Sequence, residues 1–448
     1  MIITKDKIFY KNLFRLAFPI LCSNLLVFLV ALSDSLMIGR LGDEATSTAY
    51  IGTLVLQTLQ MLLTGIDGGI SVICSQFYGK GDKDSIKTIL SISLFASLFL
   101  SFLLTASSLF FPNMWFSLFG KETSKTAVKY LILISLSFPL SALSNIITSV
   151  YRAIESVKVG VISSAVALIT NLFFNYFLIF GKLSFTKHGV IGAAISTMIA
   201  RLIELFFVMI YLFFIDKKLS FRPSDIFKFK GSLSRKFIKY VSPLLVGQLV
   251  WIFNTLFAAY VLKKVNTGNS MAGVAISNTI NTFVYIFINA LSASIGIIIA
   301  KEIGKNKIDK IKEYSHTTEL VFLLLGFISS VFLFFVAKPF TALYNTSEET
   351  AKTAITLIKI LSLTVIGTSY QSACLAGLIK NGGDVTFVFK CDSFFVLFAV
   401  LPLTLIAVKL GAPLWLVFLT LKSDHILKCI PAAIKTNRFN WIRRVTEK

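Results

Sequence analysis

Val30-Ala31-Leu32-Ser33-Asp34-Ser35-Leu36-Met37-Ile38-Gly39-Arg40 places one carboxylate, Asp34, at the end of a long apolar run. A charged acid in hydrocarbon costs about 2.5–3.5 kcal/mol on insertion scales, so it faces a wet cavity and handles ions or protons. The run it closes, Leu16 to Ser33, holds no Lys, Arg, Asp or Glu; nor do Ala45 to Ile66, Thr88 to Gly120 and Val265 to Ala300. Each is long enough to cross about 30 Å of hydrocarbon as a helix. The reading is an all-α polytopic membrane protein.

Working outward, the whole 448-residue chain fits this class: 55% hydrophobic and 15% charged, with mean hydropathy +0.80. A soluble domain carries about 25% charged residues. The net charge of +22 does not indicate nucleic acid, because the Lys and Arg sit in short loops between apolar runs. There they orient the chain against anionic membrane lipid. Cys22, Cys74, Cys374, Cys391 and Cys429 show no paired spacing, and His188, His316 and His425 lie far apart. Neither set predicts a disulfide framework or a metal site. Lys5, Lys7 and Lys11 precede the first apolar run in the manner of a signal peptide. That run is too long for an h-region and reads as a retained first helix.

Twelve transmembrane spans are expected, at 12–38, 47–74, 87–111, 127–150, 158–180, 189–215, 236–262, 271–300, 316–338, 354–379, 386–408 and 411–434. The last is interrupted by Lys422, Asp424 and Lys428. Lys and Arg concentrate in alternate segments, beginning with the N-terminus, which predicts both termini in the cytoplasm of a cell-membrane protein. The longest polar stretch, Asp216 to Lys239, carries Lys217, Lys218, Arg222, Lys228, Lys230, Arg235, Lys236 and Lys239. It divides the chain into an N-lobe (1–215), a basic cytoplasmic linker (216–239) and a C-lobe (240–448). The halves repeat. Pro19-Ile20-Leu21-Cys22-Ser23-Asn24-Leu25 matches Pro243-Leu244-Leu245-Val246-Gly247-Gln248-Leu249, and Gly79 to Lys87 matches Gly304 to Lys312. Two six-helix lobes that start on the same face are related by an axis along the membrane normal, with a path between them. Ala258 stands where the repeat would place a second Asp34, so only the first half carries this acid.

Counting turns from the loops puts Asp34 in the outer part of span 1, Asn175 in the outer third of span 5, and Thr197 about two turns into span 6. Asn171, four residues before Asn175, shares its helix face. One carboxylate with amide and hydroxyl oxygens suits a proton or a sodium ion. The alternative is that the two Asn only bridge helices. Asp67, in Thr64-Gly65-Ile66-Asp67-Gly68-Gly69, is a candidate for gating or for lining a cavity. Arg201 and Glu204 are spaced as an internal ion pair, with a proton relay at Glu204 as the rival. Lys390, Asp392, Asp424 and Lys428 are expected to compensate one another. Some of the 43 Phe could line a cavity for flat apolar cations. The sequence has no GxxxxGK[ST] loop, HExxH or GxSxG, which argues against an ATPase or a hydrolase.

These residues resemble the multidrug and toxic compound extrusion (MATE) transporters over nearly the whole chain. Asp34 to Gly42 resembles the family's exit from helix 1, and Ser75 to Asp82 its Q-x-x-G-x-x-D loop. Asn171 to Asn175, with Phe180-Gly181 and Gly189 to Thr197, resembles its helix 5–6 signature. Gly377-Leu378-Ile379-Lys380-Asn381-Gly382-Gly383-Asp384 resembles its G-x-L-R-G-x-x-D segment, with Lys for Arg and Asn for Gly. The resemblance implies antiport of organic cations or amphipathic drugs against H+ or Na+ by alternating access. It implies no other cofactor and no enzymatic activity, and a monomer is expected. It maps the cation-coupling site onto Asp34, Asn171, Asn175 and Thr197, with Na+ possible at Asp34, Asn171 and Asn175. Asn175 stands where some members have Asp. Span 7 (Gly247 to Asn254) and span 10 (Gly367 to Gln371) lack the acids that some sodium-coupled members carry. Coupling should therefore rest on the first half, with protons favoured over sodium. The rival within transport is a flippase for a lipid-linked precursor.

Overall fold

Where no water reaches the backbone, each N–H and C=O must be satisfied within its own segment, so the apolar runs become helices. The computed structural model of the chain describes residues 3–118, 124–182, 186, 188–265, 270–344 and 346–447. The end of the Thr88–Gly120 run and the start of the Val265–Ala300 run lie outside them. Helices dominate, and no strand occurs among the described residues.

The order is α1 (Lys7–Gly39), α2 (Asp43–Lys80), α3 (Lys83–Phe110), α4 (Pro112–Leu118), α5 (Lys125–Ser135), α6 (Phe138–Ala153), α7 (Lys158–Phe180) and α8 (Val190–Ile210). Then come α9 (Gly231–Val265), α10 (Ser270–Gly304), α11 (Ile308–Ala342), α12 (Glu348–Gln371), α13 (Val385–Phe395) and α14 (Leu401–Lys409). The chain ends in α15 (Leu414–Leu421), α16 (Asp424–Leu427) and α17 (Cys429–Asn437). π-helical turns extend α8 through Ile215, carry α12 on to Ile379 and join α13 to α14. With α5–α6 and α13–α14 each counted as one, 11 helices among the described residues are long and apolar enough to cross a membrane. The twelfth expected stretch, 411–434, is helical in three short pieces, and the breaks fall at Lys422-Ser423 and Lys428. The charges that interrupt its hydropathy also interrupt its helix.

The repeat read from sequence recurs in the helix starts: α1 and α9 begin 224 residues apart, and α3 and α11 begin 225 apart. The chain forms two units, one of residues 18–241 and one of residues 1–17 with 242–448. Both breaks fall inside a repeat-related helix, two residues before Pro19 and Pro243.

In the 18–241 unit, glycines set the closest helix approaches. A Cβ on Gly192 would lie 2.6 Å from the Leu178 carbonyl oxygen, so α8 rests directly on the α7 backbone. A Cβ on Gly52 would strike the Tyr130 ring, and one on Gly69 would strike Val241. Gly69, two residues after Asp67, thus admits α9 at Val241. The expected linker is partly ordered structure: α9 already begins at Gly231, and a 3-10 turn covers Pro223–Phe227. Its anchor is Asp225, only 1% exposed. Ser91 donates to the Asp225 carbonyl (2.7 Å), and the carboxylate meets Lys228 (2.6 Å) and Lys87 (3.2 Å). Against the upward push of burial, the bonds from Lys228, the Arg222 N–H and Lys87 hold the Asp225 pKa down at about 2.

In the other unit, the N-terminal end docks on α11. The Thr4 N–H donates to Thr317 Oγ1 (2.8 Å), Asp6 takes bonds from the Tyr314 hydroxyl (2.7 Å) and Lys310 (3.0 Å), and Phe9 packs on Tyr314. The C-terminal tail docks on the segment after α12. Trp441 is fully buried where a Cβ on Gly382 would lie, Arg443 N–H donates to the Gly382 carbonyl (2.7 Å), and Asp384 pairs with Lys435 and Arg443. Gly383 adopts φ +100°, a conformation that side chains disfavour. The Gly382-Gly383-Asp384 motif is therefore a seat for the tail.

Candidate ion-coupling site

The i, i+4 spacing of Asn171 and Asn175 sets both amides on one face of α7. Both are fully buried, an arrangement that demands partners. Asn175 Nδ2 donates to Asn171 Oδ1 (3.0 Å) and to Asp34 Oδ1 (2.5 Å). Asn175 Oδ1 stays without a hydrogen bond, and Asn171 Nδ2 lies near Asp34 without completing one. Asp34 and Asn175, expected at similar depth, are thus in contact, and Asn171, expected one turn deeper, joins them through Asn175, with acceptor capacity left over.

A tight apolar shell holds the site: Ile38, Ala49, Tyr130, Ile134, Ile179, Val190, Ala193 and Ala194 form one buried cluster, against which Met37 and Leu41 pack. These residues come from α1, α2, α5, α7 and α8, except Leu41, which lies in the turn after α1. Tyr130, whose hydroxyl meets Thr53, lies within electrostatic reach of Asp34. Sequence reasoning missed it; the only signal was a phenol in an apolar span.

The other candidates fall in different places. Thr197 is buried on α8 but makes no hydrogen bond to the Asp34 group among the described residues. Arg201, one turn further on, lies within electrostatic reach of Asp34. It also donates to Glu204 (2.7 Å), so the two form the expected internal ion pair. Asp67 is engaged by Arg152 of α6 (3.6 Å) and sits apart from the Asp34 group.

The absence of acids in spans 7 and 10 does not leave the second unit without buried carboxylates. Glu319 on α11 is 1% exposed and accepts from Tyr370 (3.1 Å) and Asn437 (3.2 Å). Asp424 is equally buried, and Lys428 joins it to Asp392. The signal for Glu319 was an acid three residues after His316 in an apolar helix, a spacing the sequence reading passed over. No cluster of His, Cys, Asp and Glu able to hold a metal ion occurs among the described residues.

Comparison with known proteins adds to this geometry. The family model MatE matches residues 19–177 and 243–406. An uncharacterized transporter, YisQ of Bacillus subtilis (strain 168), is 24% identical over 389 residues, covering 85% of this chain and 83% of that one. A probable multidrug resistance protein NorM of Thermotoga maritima is 21% identical over 365 residues, covering 79% and 76%. Among solved structures, a MOP superfamily transporter from Pyrococcus furiosus Vc1 aligns with TM-score 0.86 at 17% identity, over 98% of this chain and 97% of that one. The bent form of the Vibrio cholerae MATE transporter VcmN aligns with TM-score 0.81 at 17% identity, over 96% of each chain. The two matched segments cover well over half the chain and fall one in each half of the repeat; this chain belongs to the MATE family and is a multi-span membrane transporter.

Proposed function

We propose that this transporter exports lipophilic, mostly cationic organic compounds across the cell membrane in exchange for a cation taken up at Asp34, with both termini in the cytoplasm. The observation that carries this reading is the hydrogen-bonded group Asp34–Asn175–Asn171, an ionisable residue held within helices that cross a membrane. The probable multidrug resistance proteins among the relatives support the substrate class.

Protons fit the geometry better than sodium. Asn175 presents its NH2 group to the carboxylate, which suits an acid that gives up and regains a proton. A sodium ion at the same place would need oxygen donors, and so a turned amide. Coupling requires that the cation bind one conformation of the carrier better than the other. The test is ethidium efflux from liposomes holding the purified protein, driven by a pH gradient alone and then by a sodium gradient alone. The wild type is expected to respond to the pH gradient and Asp34→Asn to neither. Unchanged efflux by a folded Asp34→Asn protein would overturn the reading.

A further inference from the structure

The charged cluster of the second unit has a shape that mutual compensation does not account for. Lys428 is 1% exposed and sits between two carboxylates. Its ammonium donates to Asp392 Oδ1 (2.8 Å) and contacts Asp424 Oδ2 (2.9 Å), but that second contact lacks a hydrogen-bonding angle. One ammonium against two carboxylates leaves a charge of −1. The partner that offsets it is more distant: Lys422 acts on Asp424 electrostatically, while its own ammonium lies over the Phe418 ring at 5.7 Å. His425 donates or accepts toward Gln371 (2.8 Å).

The carboxylate charge that no direct contact neutralises has an accessible address. Asp392 is the outermost member, its side chain 22% exposed against 1–2% for Lys428 and Asp424. Its Oδ2 makes no hydrogen bond among the described residues. Aromatic surface lies alongside. Trp251 of α9 presents its ring face to the Lys428 ammonium at 4.7 Å. The α9 and α13 helices touch here: Phe389 lies 3.7 Å from where a Gly247 Cβ would be, and Trp251 and Asp392 come one turn later on each. A carboxylate oxygen in reach of an indole face is the ligand set of an organic ammonium or phosphonium group. An anion is disfavoured, because the one buried ammonium is already engaged by both acids.

We propose that Asp392 and Trp251 bind the cationic head of an exported compound, and that Lys428 is a tethered competitor that fills the site when it is empty. A carrier must complete part of its cycle unloaded, and two carboxylates left without a cation at this depth would be costly. Lys428 removes that cost. When an organic cation takes Asp392, Lys428 still keeps Asp424. This inference rests on the exporter reading and locates a substrate contact in the second unit, away from Asp34.

The experiment measures binding of tetraphenylphosphonium, which has no proton to lose, to the full-length protein by equilibrium dialysis, alongside efflux of the same cation from liposomes. Asp392→Asn and Trp251→Leu are each expected to weaken binding by about tenfold. Lys428→Met should tighten it by a similar factor, and adding Asp392→Asn should erase the gain. If Lys428→Met does not fold, Asp392→Asn decides alone, since Lys428 there keeps Asp424. Wild-type affinity in both Asp392→Asn and Trp251→Leu, with export intact, overturns this site and leaves the exporter reading standing. A wild type that neither binds nor exports the cation overturns both.

Discussion

At the scale of single residues, the bond from Asn175 to Asp34 is the contact on which most depends. A hydrogen bond to a charged group contributes about 1.5–3 kcal/mol. Asn175→Ala should therefore slow pH-driven efflux by roughly tenfold to a hundredfold. Asn175→Asp is the more informative change. It sets a second acid beside Asp34 and replaces the amide donor by oxygen, so efflux is expected to acquire sodium dependence, read as stimulation by a sodium gradient that the wild type lacks. This contact was legible in the sequence for a definite reason: helical rise and loop positions fix depth, and an i, i+4 pair fixes a face. Depth alone did not fix orientation around the helix. Thr197, expected at the same depth, makes no bond to the group, whereas Tyr130, which no depth argument singled out, lies within electrostatic reach of Asp34. Glu319 shows the same blind spot, because its partners come from helices distant in sequence, whereas the pairing of Lys428 with Asp392 and Asp424 was legible.

At the scale of elements, hydropathy located the helices but not their closest approaches or their breaks. Gly192 illustrates the first. Its place in the Gly189-to-Thr197 stretch was noted as part of a motif, and the reason for it is the 2.6 Å that a Cβ would leave to a backbone oxygen of α7. Backbone cannot yield as a side-chain tip can. Gly192→Val should cost about 1–3 kcal/mol through overpacking. It should also push α8 away from α7, the helix that carries Asn171 and Asn175. Lowered thermal stability together with reduced efflux is the expected result; reduced stability with full efflux would show that the site tolerates a looser α7–α8 pair. The π-helical turns illustrate the second limit. An extra residue in one turn leaves no mark on an apolar profile, so the π-helical turns at Ser372–Ile379 and Val396–Val400 could not be read in advance.

At the scale of the whole molecule, the basic stretch that sequence marked as a linker is held down by Asp225. The folded pKa, about 2, lies below the ordinary 3.8, so the carboxylate's contribution is complete above pH about 4 and disappears as pH falls through about 2. Limited proteolysis at Lys228 and Lys230 should thus be uniform from neutrality down to mild acid and rise only in strong acid. Asp225→Asn should expose the same bonds at neutral pH. A cleavage rate in that variant equal to wild type would mean that Ser91 and the surrounding apolar contacts anchor the segment unaided. The division of the chain into units carries a consequence for its birth. Thr4 finds its partner, Thr317, 313 residues downstream. At translation rates of about 5–20 residues per second, the segment around Thr4 waits roughly 15–60 s after its own synthesis for the helix it docks on. That segment is made well before its partner and settled late, and for that interval it is a handle open to any factor that surveys nascent chains.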